Sequence, residues 1–430
     1  MTVLIKQARI VDPNSPYNDT VQDILVESGI IKNIGSDLKV ESAHESFSGD
    51  DLHVSPGWVD IFANFSDPGF EFRETLESGS QAAAAGGFTD VFVIPNVKPV
   101  TDNKSQIEYL NRKSGSLAAN VHPIGAVSKN AEGKDLAEMY DMRNSGAIAF
   151  SDGLNPVQSA GLLLKALQYV KAFDGVIIQI PDDKSVGANG LVHEGIISTR
   201  LGLAGKPIMA EELLVARDIK LARYAESKLH FTAVTSPRSL EYIKRAKDAG
   251  LPVTCSVTPY HLFFSDEDLK SYDTNLKVYP PLRSPAEQKV LKDAVTDGTV
   301  DCIATHHMPL DFDSKVLEFE YAKNGMTGLE TCYSVLKTVL PGLSEKRWVE
   351  LLSINPRKIF GLGQPVIDKS KEACLTVFSP AGKTAIASSD FYSRSGNSPF
   401  TGKSLQGAVV GTIRRGTTFF RTKRKINGKS

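Results

Sequence analysis

Cysteine is scarce in this chain. There are four in 430 residues, Cys255, Cys302, Cys332 and Cys374, and none falls in a CxxC spacing. That argues for a reducing, cytosolic setting and against a cysteine-based zinc site. Histidine is nearly as rare, with eight residues and no HxH arrangement. The start, MTVLIKQARIVDP, lacks the basic segment and long apolar run of a signal peptide. No apolar stretch approaches the roughly 20 residues of a membrane span. A net charge of −1 creates no field to recruit nucleic acid or an anionic membrane. These absences predict a soluble, cytoplasmic protein with neither membrane nor nucleic acid as partner. The one basic stretch is the tail, with Arg414, Arg415, Arg421, Lys423, Arg424, Lys425 and Lys429 around Phe419 and Phe420. It is short and carries no nucleic-acid motif, so a solvated terminal strand accounts for it.

What is present is a change of rhythm along the chain. Residues 1–50 run as short alternating segments, VLIKQARIVD and DILVESGIIKNIG, punctuated by Gly29 and Gly35. From about Cys374 the same pattern returns in LTVFSP and SLQGAVVGTIRRGTTFF. Both ends therefore read as β structure, and together as one composite β domain. Between them, short apolar runs alternate with helical stretches: GWVDIFANF (57–65), VFVIPN (91–96), VHPIGAVS (121–128), AIAFSD (147–152), GVIIQIP (175–181), HFTAV (230–234), VTCSVTP (253–259) and DCIATHH (301–307). Strand–helix units repeated about eight times over roughly 250 residues predict a (β/α)8 TIM-like barrel. A doubly wound open sheet is the rival, but no GxGxxG follows the first strand. The predicted division is 1–54 and 365–430 for a small β-sandwich built from both chain ends, and 55–364 for the barrel. In a barrel, chemistry belongs at the C-terminal ends of the strands.

The run SPGWVDIFANFSDPGFEFRETLESGSQAAAAGGFTDVFVIPNVKP resembles the first two barrel strands of bacterial dihydroorotases, members of the amidohydrolase superfamily that can partner aspartate transcarbamoylase. AIAFSDGLNPV, LGLAGKPIMAEELLVARDIKLA, NLKVYPPLRS, GMTGLETCYSVL, SINPRKIFGL and NSPFTGKSLQGAVVGTIRRG extend the resemblance in order over essentially the whole chain. It implies a barrel hydrolase of pyrimidine biosynthesis that opens and closes the ring of dihydroorotate. Such enzymes use zinc to polarise an amide carbonyl and supply hydroxide near neutral pH.

The resemblance also places the metal ligands, and here the chain departs from it. The family pattern PGxxDxHxHxRxPG meets PGWVDIFANFSDPG, so Phe62 and Asn64 stand at two ligand histidines. The acidic position after the fourth strand is kept as Asp152. The ligand histidine of strand five falls at Gln179, that of strand six at Ala233, and the strand-eight aspartate at His306. Phenylalanine cannot coordinate zinc, an amide is a poor ligand, and a catalytic zinc wants about three protein ligands. The implied substrate contacts fall at Ser66, Asn96, Tyr279 and Leu310, where only Asn96 matches the family. The arginine fork that would grip a carboxylate is absent at Ser66.

Asp152 and His306 are the residual catalytic candidates, Asn96 the residual substrate contact, and no metal or other cofactor is expected. Each has a plainer reading: Asp152 as a turn cap in SDGLNP, His306 as a packed histidine at a strand end, Asn96 as a turn residue in PNVKP. Tyr260 and Tyr279 are read as filling the space vacated by metal and substrate. His44, His53, His122 and His193 are read as surface or structural. Three functional classes follow. The first is a catalytically inactive dihydroorotase-like subunit serving aspartate transcarbamoylase, an active dihydroorotase or another copy of itself. The second is a cyclic-amide hydrolase with a degenerate mono- or non-metal site, and the third a small-metabolite binding protein.

Overall fold

The structure, a computed structural model, describes residues 2–39 and 45–421. The chain opens with β1 (Thr2–Ile10), β2 (Val21–Glu27) and β3 (Ile30–Gly35), an antiparallel meander. The β2–β3 link is two residues long, and Ser28 and Gly29 both take positive φ (49° and 79°). That is the geometry a tight hairpin turn demands, and the glycine adopts it without a steric penalty. Gly35, by contrast, ends β3 rather than making a turn. β4 (Glu45–Phe47) and β5 (His53–Pro56) lie parallel to β1.

The barrel begins immediately, with β6 (Trp58–Ala63), β7 (Phe88–Val93), β8 (Asn120–Gly125), β9 (Ala149–Phe150) and β10 (Val176–Gln179). A small ribbon follows in the next loop, β11 (Val192–His193) against β12 (Gly205–Lys206). β13 (Lys228–Phe231), β14 (Val253–Val257) and β15 (Cys302–Ile303) complete eight parallel strands in sequential order. The ring is closed by a parallel bridge from Ala63 to His307, where the Asn64 N–H donates to the His307 carbonyl at 2.9 Å. The chain therefore folds as a (β/α)8 barrel. The runs 147–152 and 301–307 give only two strand residues each, because their Ser-Asp and His-His ends leave the ladder for the mouth.

β16 (Cys374–Ala385), β17 (Ser404–Arg414) and β18 (Thr417–Phe420) return to the first strands, with β16 antiparallel to β5. The second domain is thus one eight-stranded sheet drawn from both ends, in which β4 branches from β1. Its strands enclose a core that includes Ile5, Ile24, Phe47, Val54, Val377 and Ile413. Each described tail cation has a partner. Arg414 donates to Leu117 O, Arg415 pairs with Glu372, and Arg421 donates to Ala85 O and Glu330 O. Phe420 stacks on Phe47 at 4.1 Å. Lys423, Arg424, Lys425 and Lys429 lie outside the described residues, as does His44. Among the described residues no helix is long and apolar enough to cross a membrane.

The barrel interior is divided. Val59, Ile61, Phe92, Ile94, Ile124 and Ile178 fill the half lined by β6 to β10. Alternation along β13 and β14 sends Leu229, Phe231, Cys255 and Val257 to the helix-facing layer. The residues between them, His230, Thr232, Thr254 and Ser256, form a polar half.

Candidate functional site

At the C-terminal mouth, the strand ends carry unusual backbone. Ser66, Ala233 and His306 all take left-handed φ (58°, 54° and 46°). Each costs about 1–2 kcal/mol for a residue with a Cβ. These are three of the positions at which the resemblance places metal or substrate contacts.

His306 is fully enclosed. Its imidazole stacks on the ring of Phe62, with centroids 4.3 Å apart and planes 20° apart. Its Nε2 lies 2.8 Å from Thr232 Oγ1. The Ser256 hydroxyl donates to Thr232 Oγ1 at 2.9 Å, His230 Nε2 lies 3.0 Å from Ser256 Oγ, and His230 Nδ1 lies 2.8 Å from Thr254 Oγ1. The three hydroxyls and the His230 ring are satisfied when His230 Nε2–H donates to Ser256 and the Thr232 hydroxyl donates to His306 Nε2. In that arrangement the Nε2 lone pair of His306 is already occupied. Burial holds His306 well below its ordinary pKa, with repulsion from His261 and His230 adding to the effect. The imidazole is neutral, packed and bonded.

Asp152 is also committed. Oδ1 accepts from the N–H groups of Val127 and Ser128, each at 2.9 Å, and Oδ2 accepts from the Ser128 hydroxyl at 2.5 Å. Its carboxylate thus ties the loop after β8 rather than its own SDGLNP turn. Burial pushes its pKa up, against those three bonds. Asn96 joins the same neighbourhood: its Nδ2 donates to Asp152 O at 3.1 Å and its Oδ1 accepts from Leu154 N at 2.9 Å. The structure brings Asn96 and Asp152 together as a loop brace. It does not bring Asp152 to His306.

The remaining family positions are turned to packing. Asn64 Oδ1 accepts from Ser66 N at 2.7 Å. Gln179 points into the helix layer, exchanging bonds with the Val157 backbone at 3.3 Å and approaching Asp218 Oδ2 at 3.4 Å. Ala233 is wholly buried, and Leu310 nearly so. Among the described residues no three His, Cys, Asp or Glu side chains converge as a metal-binding group. The side chains present do not fit the zinc that the resemblance implies.

What the mouth does contain is a cavity of about 330 Å³. Asp182 and Lys206 form a buried ion pair on its wall, Nζ to Oδ1 2.9 Å and to Oδ2 3.0 Å. The Tyr279 hydroxyl donates to Asp182 Oδ2 at 2.5 Å, and burial followed by the Asp182 charge pushes that phenol far above its ordinary pKa. Tyr260 and His306 also line the space. Tyr279 therefore does more than fill a void. Sequence reasoning missed Asp182 and Lys206, because 24 residues separate them and no periodicity links them.

The other histidines have partners that the sequence did not reveal. His53 Nδ1 lies 3.0 Å from Asp51 O, and His122 Nε2 lies 2.8 Å from Asp90. His193 sits between Arg283 at 3.2 Å and Glu287 at 3.2 Å.

Residues 52–239 match the Dihydro-orotase-like family. Over 424 residues the chain is 38% identical to a dihydroorotase of Geobacter metallireducens, spanning 98% of this chain and 100% of that protein. Over 425 residues it is 38% identical to a dihydroorotase of Acetivibrio thermocellus, spanning 98% and 99%. Among solved structures it is similar to the L-hydantoinase (dihydropyrimidinase) of Arthrobacter aurescens, with TM-score 0.83, 26% identity and coverage of 97% and 95%. The D-hydantoinase of a Thermus species shares the fold at TM-score 0.82 and 21% identity, with coverage of 99% and 97%.

Proposed function

The chain belongs to the dihydroorotase family, and we propose that it is a member without catalytic activity, kept as a structural or regulatory subunit in pyrimidine biosynthesis. The observation that carries this reading is His306, whose Nε2 faces Thr232 and whose ring face is covered by Phe62. The one acid at a family ligand position, Asp152, spends its oxygens on Val127 and Ser128. Among the described residues no three His, Cys, Asp or Glu side chains converge to hold an activating metal, and Ser66 stands where the resemblance implies an arginine clamp.

The role fits a protein whose sequence still specifies a large, well-packed shape. The partners it would serve are aspartate transcarbamoylase, an active dihydroorotase, or a second copy of itself. A stable interface of that kind buries about 1,600 Å² and survives gel filtration at micromolar concentration. The test is purification from the native cell, followed by assay for dihydroorotase turnover. The reading expects co-elution with a pyrimidine-pathway enzyme, or a stable homodimer, and no turnover by the chain alone. A monomer that captures nothing removes its basis. Turnover abolished by Asp152→Ala would favour the cyclic-amide hydrolase with a degenerate site.

One observation favours a second reading. The mouth cavity retains a charged and hydroxylated wall, Asp182, Lys206 and Tyr279, of the kind that orients a small polar ligand. Under it the protein binds a metabolite at the mouth, and a ligand-dependent rise in Tm without turnover would support it.

A further inference from the structure

A larger cavity, about 480 Å³, lies on the opposite face of the barrel. There the starts of β7 and β8 meet the turn between β17 and β18. This volume is within the range of small-molecule sites, roughly 300–1,000 Å³. Its charges are unbalanced. Arg357 is closed on Asp90 at 2.6 Å and also donates to Gly57 O at 3.0 Å, so that pair is internally spent. Arg415 is matched by Glu372 at 3.0 Å. Arg414 and Lys371 remain, and among the described residues neither has a carboxylate partner.

Arg414 is the more telling of the two. It is only 4% exposed, and its guanidinium is held by neutral groups, Asn120 Oδ1 and Leu117 O. Its Nε makes no hydrogen bond at all. A buried cation with no carboxylate in direct contact is costly, and burial lowers the Arg414 pKa against the more distant pull of Asp90. Lys371, exposed at the rim, adds a second uncompensated charge. The opposite wall, Leu362, Pro365 and Val366, is apolar and unoccupied by any charge.

We propose that this seam cavity binds a small phosphate-bearing molecule, with Arg414 and Lys371 meeting the phosphate and the 362–366 segment receiving an apolar or planar body. A phosphate monoester brings nearly two negative charges and so matches both free cations, whereas a single carboxylate matches one. The volume exceeds what an inorganic ion needs, which is why the ligand has a body. The site shares no residue with the barrel mouth and stands whether or not the chain is catalytic.

Phenyl phosphate is the direct probe, compared with inorganic phosphate and benzoate at constant ionic strength, by calorimetry and by Tm. Wild-type protein binds phenyl phosphate more tightly than inorganic phosphate, and benzoate weakly or not at all. Lys371→Gln, a change at the exposed rim that leaves the fold intact, weakens phenyl phosphate by about tenfold, the loss of one charge-assisted bond. Arg414→Lys weakens it at least as much. Lys184→Gln, on the wall of the mouth cavity, leaves it unchanged. The proposal is overturned by no binding of phenyl phosphate to wild type, by equal binding of benzoate, by an unchanged affinity in Lys371→Gln, or by a loss that follows Lys184→Gln instead.

Discussion

The ring of Phe62 lies face to face with the imidazole of His306, centroids 4.3 Å apart, across the seam where the barrel closes. At two positions where the resemblance implies metal ligands, the side chains here hold each other. Phe62 has no exposed surface. Phe62→Ala is expected to cost about 3–5 kcal/mol, by lost burial and by the cavity left against His306. Urea unfolding at neutral pH measures it. A loss under about 1 kcal/mol would mean that the pair is loosely packed and the mouth still adaptable.

His230 gives a pH-dependent counterpart. Burial, with repulsion from Lys247 second, holds its pKa at about 3 against 6.5 for the free side chain. Below pH 6.5 the unfolded chain takes a proton that the native chain refuses, so stability is lost as pH falls from 6.5 toward 3. Relative to His230→Gln, the wild type should lose stability at up to about 1.4 kcal/mol per pH unit in that window. Above pH 7 the two should run parallel. Other titrating groups are common to both proteins and cancel in the difference. Denaturation at pH 7.5, 6 and 5 decides it, and curves parallel throughout would mean that His230 is charged in the native barrel.

The Asp182–Lys206 pair at the mouth is buried enough for its two halves to depend on each other. Removing one leaves an uncompensated charge, so Asp182→Asn alone or Lys206→Met alone should cost about 3–5 kcal/mol. The double variant should cost far less than the sum, because both desolvation penalties vanish together. Additive losses in this cycle would show that the charges do not interact.

The strand runs were legible because alternation and apolar clustering are local, and the barrel order follows from their succession. The losses at Phe62 and Asn64 were legible for a similar reason, since PGxxD and DPG fix the register around them. Gln179 was read as standing at the ligand position of its strand, but its side chain faces Val157 and Asp218 in the helix layer, while its neighbours Ile178 and Ile180 face the barrel interior. Asp152 was read as capping its own turn, whereas its partners, Val127 and Ser128, belong to the loop of the preceding strand. Such pairings join segments brought together only by barrel closure. The same holds for Lys206, whose partner is 24 residues away on another element. That both termini join in one β unit was legible from the β rhythm at each end. The β5–β16 ladder that fuses them was not.

Metal stoichiometry reads directly whether these side chains make a metal site. Protein purified without chelators, in buffer containing zinc, and then dialysed mildly should be analysed for transition metals per chain. Far less than one equivalent is expected, because a catalytic zinc needs about three protein ligands and Phe62, Asn64, Gln179 and Ala233 offer none of adequate strength. One tightly held metal per chain, lost on Asp152→Ala or His306→Ala, would contradict this expectation.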